Sequence, residues 1–174
     1  MGTLFAVREF RVTDVDEIVT LLYETVHAVN AHDYTREQLA AWAPELSANE
    51  RQDRIQRLTE SLLRNSSWVA VRDATIVGFA DITLDGYLDH LYVHKDFQGQ
   101  GIALRLMHRI EREGVGHGVK EIRTDASITA KPFLEQMGYF VVCAQSVSVR
   151  GVSMGNFKMI KRLELYSEQG PLVF

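Results

Sequence analysis

The sequence predicts an α/β protein: a mixed, mostly antiparallel central sheet of about seven strands, flanked by helices. Three observations predict it. Residues 67–94 hold three consecutive β-rich runs divided by tight turns. From Gly101 the pattern becomes helical, and it returns to a β-rich run after Gly118. That strand–helix–strand unit implies at least one parallel pair, reached by a right-handed crossover. The first third, by contrast, reads as one short strand followed by helices.

Residues 5–12 read as the first strand. Thr13 precedes Asp14 and Asp16, the signature of a helix N-cap with acidic first-turn residues. Ile18, Leu21, Leu22, Val26 and Val29 then follow at helical spacing to about Asn30. A second helix begins near Thr35 and runs to Trp42, before Pro44. A third, over 49–63, places Ile55, Leu58, Leu62 and Leu63 on one stripe. Strands over 67–72 and 75–84 flank a turn at Asp73-Ala74, and Asp85-Gly86 is a second turn signal ahead of a strand over 87–94. A helix opens at Gly101, with Ile102, Leu106 and Ile110 aligned, and Gly114, Gly116 and Gly118 end it. A strand over 119–124, a short helix over 129–137 closed by Gly138, and strands over 139–149 and 156–165 complete the chain. The last two are joined by a turn over 151–155.

Composition narrows the function classes. The chain has 174 residues, 46% apolar and 24% charged, values of an ordinary globular protein. Its 19 Lys and Arg against 23 Asp and Glu give a formal charge of −4, which lends no support to nucleic-acid binding. A single cysteine, Cys143, excludes an internal disulfide and a thiolate zinc cage. Residues 1–8 show no secretion signal and no window reaches the ~18 apolar residues of a membrane span, so a soluble cytoplasmic protein is expected.

The most informative stretch is Gln98-Gly99-Gln100-Gly101-Ile102-Ala103. A glycine-bearing turn follows a strand and opens a helix. Glycine lets backbone approach a ligand, and the free N–H groups and dipole of a helix N-terminus favour phosphate. A P-loop would need Lys-Ser or Lys-Thr after Gly101, and a dinucleotide fingerprint would need a third glycine where Leu104 stands. A plain tight turn and an unrelated phosphate-binding α/β domain both remain open on physics alone.

That six-residue stretch resembles the Gln/Arg-x-x-Gly-x-Gly/Ala pattern of the GNAT superfamily of N-acetyltransferases. Leu91-Tyr92-Val93-His94-Lys95-Asp96-Phe97 looks like the family's fourth strand and the run into its pyrophosphate loop. The stretch from Ala130 to Tyr139 looks like its late Ala-x-x-Phe-Tyr-x-x-x-Gly-Phe segment. The order of elements is similar over essentially the whole chain, and residues 24–44 resemble a YafP-like bacterial branch. The resemblance implies a single N-acetyltransferase domain over 1–174, with the GNAT acyl-CoA N-acyltransferase fold and acetyl-CoA as cosubstrate.

Carried over residue by residue, the resemblance implies that the main chain of Leu91, Tyr92 and Val93 pairs with the pantetheine arm in a cleft where the fourth and fifth strands splay. One amide, that of Val93, would face the thioester carbonyl; a donor aimed at a developing oxyanion is worth about 3 kcal/mol in other enzymes. The N–H groups of Gln98, Gly99, Gln100, Gly101, Ile102 and Ala103 would hold the diphosphate, with Phe133 also on the coenzyme side. The reaction implied is direct attack by an amine in a ternary complex. The family's usual tyrosine acid in the late helix is replaced by Leu134, so Tyr139 is the first substitute, with Tyr92 and water behind it. Asp89 and His90 are the candidate bases, Asp89 ranked first. Successive strand residues alternate faces, so one of the two is expected in the cleft.

Acceptor selection would fall to the N-terminal helices, where His27, Tyr34 and Trp42 are the candidate substrate residues. His27 and His32 are five residues apart, poor facing for a shared metal, and no metal is expected. Cys143 reads as a buried, inert thiol. The expected partners are acetyl-CoA and an amine acceptor, with room for a homodimer and no nucleic acid or membrane. The alternative reading is a GNAT-fold sensor or regulatory protein that binds acyl-CoA without transfer.

Overall fold

The computed structural model describes residues 5–163. Residues 1–4, part of the stretch read for a secretion signal, and residues 164–165, to which the last strand was expected to extend, lie outside the described residues.

Among the described residues seven strands form two antiparallel sheets. Strands β1 (Ala6–Glu9), β2 (Ser66–Arg72), β3 (Thr75–Ile82) and β4 (Leu88–Val93) lie side by side in that order. The second sheet runs β5 (Glu121–Ser127), β7 (Val152–Arg162), β6 (Phe140–Val149). The expected parallel pair is short: Tyr87 bridges Arg123, whose N–H donates to the Gly86 carbonyl at 2.9 Å. Past that rung β4 and β5 part and leave a cleft.

Helices cover both faces of the first sheet. Helix α1 (Val15–Ala28), α2 (Arg36–Trp42) and α3 (Ala48–Arg64) lie on one side, and α4 (Ile102–Gly116) on the other. A short α5 (Lys131–Gln136) packs with α4 against β5. Strand β2 shows the alternation that this demands. Trp68 and Ala70 join the α4 core, while Val69 joins the core under α1 and α3.

Local chemistry sets the ends. Thr35 and Ser47 cap α2 and α3, each with a reciprocal bond to the side chain three residues on, Gln38 and Glu50. The first helix departs from expectation: a 3-10 turn over Val12–Asp14 precedes it, no side chain caps α1, and Asp14 ties that turn down instead. Its carboxylate accepts from the Arg11 N–H at 2.8 Å and from both terminal nitrogens of Arg8, at 2.7 and 2.8 Å. Helix α4 runs through Gly114 to Gly116, and Gly118 alone takes a positive φ behind it. The last hairpin turns at Arg150-Gly151, both at positive φ, so β7 begins before Gly155. Cys143 is exposed, contrary to the buried thiol expected, because β6 is an edge strand whose outer residues Phe140 and Val142 also face solvent. Among the described residues no helix is long and apolar enough to cross a membrane.

Candidate active site

The loop before α4 has the form of an anion cradle. Gly99 and Gly101 stand at φ 69° and 78°, and a Cβ built on either would meet nothing within 4 Å. The space is therefore open while the backbone conformation is one that side chains disfavour. Gly101 is the N-cap of the 15-residue α4, it caps with no side chain, and no acidic residue lies in the first turn. The first amides of the helix are thus free for a bound anion. Ile102 is 2% exposed and anchors the turn in the core. The Gln98 side chain folds back, its Nε2 donating to the Val93 carbonyl at 2.6 Å, and Gln100 accepts from Arg72 at 3.3 Å. These residues fit a coenzyme diphosphate by their backbone, not by their side chains.

From this loop the cleft between β4 and β5 runs inward, lined by Leu91, Tyr92, Val93, Gln98, Ala103, Phe133 and Leu134 among others. Hydrogen bonds across an antiparallel pair alternate. The His94 N–H donates to Val77 at 2.9 Å, so Val93, opposite Gly78, and Leu91, opposite Ala80, turn their backbone groups away from β3 toward the cleft. The Val93 carbonyl there is already taken, by Gln98 and by Thr25 Oγ1 at 3.2 Å. The N–H groups of Leu91 and Val93 remain for a ligand.

At the inner end β4 carries one extra residue. Ile82 pairs with Leu88 and Asp81 with His90, which leaves Asp89 as a bulge. The bulge breaks the face alternation that the sequence reading assumed, and Asp89 and His90 line the same cavity. His90 Nδ1 lies 2.8 Å from Asp81 Oδ1 and 3.6 Å from Asp89 Oδ2. Asn65 Nδ2 donates to the other Asp81 oxygen at 2.6 Å. Burial opposes charge on His90, but the Asp81 hydrogen bond and the charges of Asp81 and Asp89 prevail, and its pKa is raised. Burial, aided by the Asp81 charge, also raises Asp89 against the pull of His90. Potential ligand atoms of the three lie within 4.8 Å of one another, yet both Asp81 oxygens are already bonded. The arrangement is that of a hydrogen-bonded relay in which Nε2 of His90 has no partner among the described residues.

Around this cavity stand Tyr34, Trp42, Arg54, Tyr92, Asp125, Ser127 and the β6–β7 hairpin. Trp42 packs edge-on against Tyr34 and Tyr92, with ring centroids 5.4 and 6.5 Å apart. Tyr34 is only 7% exposed; its hydroxyl donates to Gly155 O at 2.8 Å and accepts from the Ile128 N–H at 2.9 Å. Its ring is a wall and its hydroxyl a structural tie. His27 is not among the cavity residues: its Nε2 meets the Ala43 carbonyl at 2.7 Å and its ring packs on Tyr23. Nor is Tyr139 brought to the cleft. It is 3% exposed in the α4-side core, and its buried hydroxyl has no hydrogen-bond partner among the described residues.

The Acetyltransferase (GNAT) domain family model matches residues 30–161. The chain belongs to the GNAT acetyltransferase family. It is 30% identical over 153 residues to the Escherichia coli protein YafP, named an uncharacterized N-acetyltransferase, covering 88% of this chain and 93% of that one. A GCN5-related N-acetyltransferase from Rhodopseudomonas palustris superposes with a TM-score of 0.85 at 26% identity, over 94% of this chain and 98% of that one. YncA of Salmonella typhimurium, solved with its cofactor acetyl-CoA, shares the fold at a TM-score of 0.66 and 18% identity, over 97% and 99% of the two chains.

Against the GNAT pattern, Leu134 is the notable departure. It lines the cleft at 2% exposure and offers only methyl groups, with no proton to give. Tyr92 is the phenol that borders both the cleft and the inner cavity, and burial pushes its pKa up to about 12. Sequence reasoning missed Asp81, Asn65, Arg54 and Asp125. Asp81 carried a signal, a lone carboxylate within the apolar run 76–82. Arg54 carried another, standing one helical turn before Leu58 and beside Ile55 on the stripe that meets the core.

Proposed function

We propose that this chain transfers an acetyl group from acetyl-CoA to a primary amine by direct attack in a ternary complex, as one catalytic domain. The observation that carries the reading is a junction: the coenzyme-side cleft and the inner cavity share Trp42, Asp89, Tyr92, Asp125 and Ser127. Two ligands, one from each side, would meet there.

Acetyl-CoA supplies the thioester. The backbone of residues 98–103 would hold its diphosphate, Phe133 and Ala103 would border its pantetheine arm, and the Leu91 edge of β4 would pair with it. The Val93 N–H would donate to the carbonyl oxygen as negative charge develops. His90 is the base. Its Nδ1–H donates to Asp81, which fixes the tautomer and leaves Nε2 to take the proton that the attacking amine loses. Tyr92, still protonated at neutral pH, gives a proton to the departing thiolate. Asp89, beside His90, draws the amine toward the junction, a different part from the base first expected of it.

The test is thermal and kinetic. Acetyl-CoA should raise the melting temperature while ATP does not, and an amine panel should release free thiol from wild-type protein and not from Gly101→Tyr. Stabilisation by acetyl-CoA with no thiol release from any amine would favour the sensor reading.

A further inference from the structure

The passage beyond the junction is polarised. At the reacting end lie Asp81, Asp89 and Asp125 with His90. Beyond it the inner cavity continues into a wider one, sharing Leu22, Trp42 and Arg54 with it and bordered also by Arg57 and Arg150. Arg54 sits where the two spaces meet, and among the described residues it pairs with no carboxylate. Burial pushes its pKa down, and the neighbouring charges of Arg150 and Arg57 add to that. A half-buried guanidinium with cations for neighbours is costly unless an anion arrives.

Of the other charged groups on the outer cavity, Arg51 is bound to Asp16, and Glu45, Glu50 and Asp53 stand there with Arg57 and Arg150, so the cation at the junction, without a carboxylate among the described residues, is Arg54. Arg150 also occupies a turn position at φ 46°, where asparagine or glycine is the usual resident. Its Nη1 crosses to the Ala41 carbonyl at 2.6 Å, beside the cavity. Unfavourable backbone conformations of this kind concentrate at ligand clamps.

We propose that the acceptor is an amine that also carries an anionic group, a carboxylate or a phosphate, seated on Arg54 and Arg150 while the amine lies at Asp89 and His90. This rests on the transferase reading above and names its substrate class. Acidic groups at one end hold the ammonium before it is deprotonated, and arginines at the other bind the anion with charge-assisted bonds.

The experiment titrates amines calorimetrically into the full chain saturated with CoA. β-Alanine, γ-aminobutyrate, ε-aminocaproate and O-phosphoethanolamine supply the anion at different reach; butylamine and putrescine lack it. At least one anion-bearing amine should bind about tenfold or more tighter than butylamine. Arg54→Met, which keeps the aliphatic stem, should erase that preference, and Arg150→Gly should reduce it while relieving the strained φ. Circular dichroism and melting temperature check that both variants fold. Equal or tighter binding of butylamine or putrescine, no binding by any anion-bearing amine, or an Arg54→Met protein with its preference intact overturns the proposal. CoA failing to bind in the preliminary titration overturns the transferase reading itself, and is seen before any amine is added.

Discussion

His90 on β4 and Asp81 on β3 face one another across the sheet, Nδ1 to Oδ1 at 2.8 Å. Asp81 has no solvent exposure at all, and Asn65 bonds its second oxygen. A carboxylate so placed is tolerable only when paired. The pair orients an imidazole toward the space where the coenzyme cleft meets the inner cavity.

The pH dependence of the reaction follows from that pair. Burial and the Arg54 charge act to lower the His90 pKa, but Asp81 and Asp89 raise it overall. A base works when neutral, so kcat/KM should rise with pH along a limb centred above the ordinary histidine value. Asp81→Asn leaves burial to dominate and should move the limb to lower pH. His90→Ala should cost about 10²–10⁴-fold in kcat/KM. A limb that stays in place in Asp81→Asn would remove His90 from this role.

Tyr92→Phe should lower kcat by about 10²-fold with little change in the KM for acetyl-CoA. The stacking on Phe79, centroids 5.5 Å apart and rings inclined 14°, survives the change, so the melting temperature should hold. An unchanged kcat would point to water as the proton donor.

Two glycines at positive φ should respond differently to alanine. At Gly86 a Cβ would lie 2.5 Å from Val119 Cγ1 and 2.7 Å from the Glu121 carbonyl, beside the rung that joins the sheets. Gly86→Ala should cost about 1–3 kcal/mol from crowding and about 1–2 kcal/mol from the backbone, read by urea unfolding. At Gly101 only the backbone cost applies, and the larger loss should appear in acetyl-CoA affinity measured by calorimetry. Equal stability losses at the two sites would contradict the geometry.

Asp14→Asn should destabilise by about 2 kcal/mol at pH 7. Burial of the Asp14 carboxyl favours its neutral form, but Arg8 and the Arg11 N–H outweigh this and lower its pKa below the usual aspartate value. The carboxylate therefore stabilises the fold above the unfolded-state pKa, and this stability is lost as pH falls through the folded value. Unfolding curves of the two proteins should converge in acid; a gap that persists there would contradict the pairing.

Much of the fold could be read from the sequence because local signals agreed with tertiary demands. The start of α2 at Thr35, the turn at Asp73-Ala74 and the loop at Gly99 and Gly101 are short-range devices, and each stands where it was expected; the cap at Ser47, equally local, went unread. Residues whose roles depend on distant partners could not be read this way. Tyr139 looked like an acid because it neighbours Leu134 in the chain, yet the turn at Gly138 sends its ring into the core. His27 looked like a substrate residue, but it serves the carbonyl of Ala43 at the end of α2. The bulge at Asp89 follows from the pairing of β4 with β3, which no single strand reveals. Arg150 and Arg54 lie 96 positions apart in the chain and line one cavity only because the β6–β7 hairpin packs against α2.

The Tyr87–Arg123 bridge, the one backbone rung between the sheets among the described residues, carries a mechanical consequence. Beyond it the two sheets are tied by the Thr124 hydroxyl on the Leu88 carbonyl and by the core they share under α4, with no backbone ladder to stiffen the open part of the gap. An occupant of that gap would bond to edges that otherwise face water, so its arrival should slow amide hydrogen exchange in β4 and β5 together, including at amides it never touches.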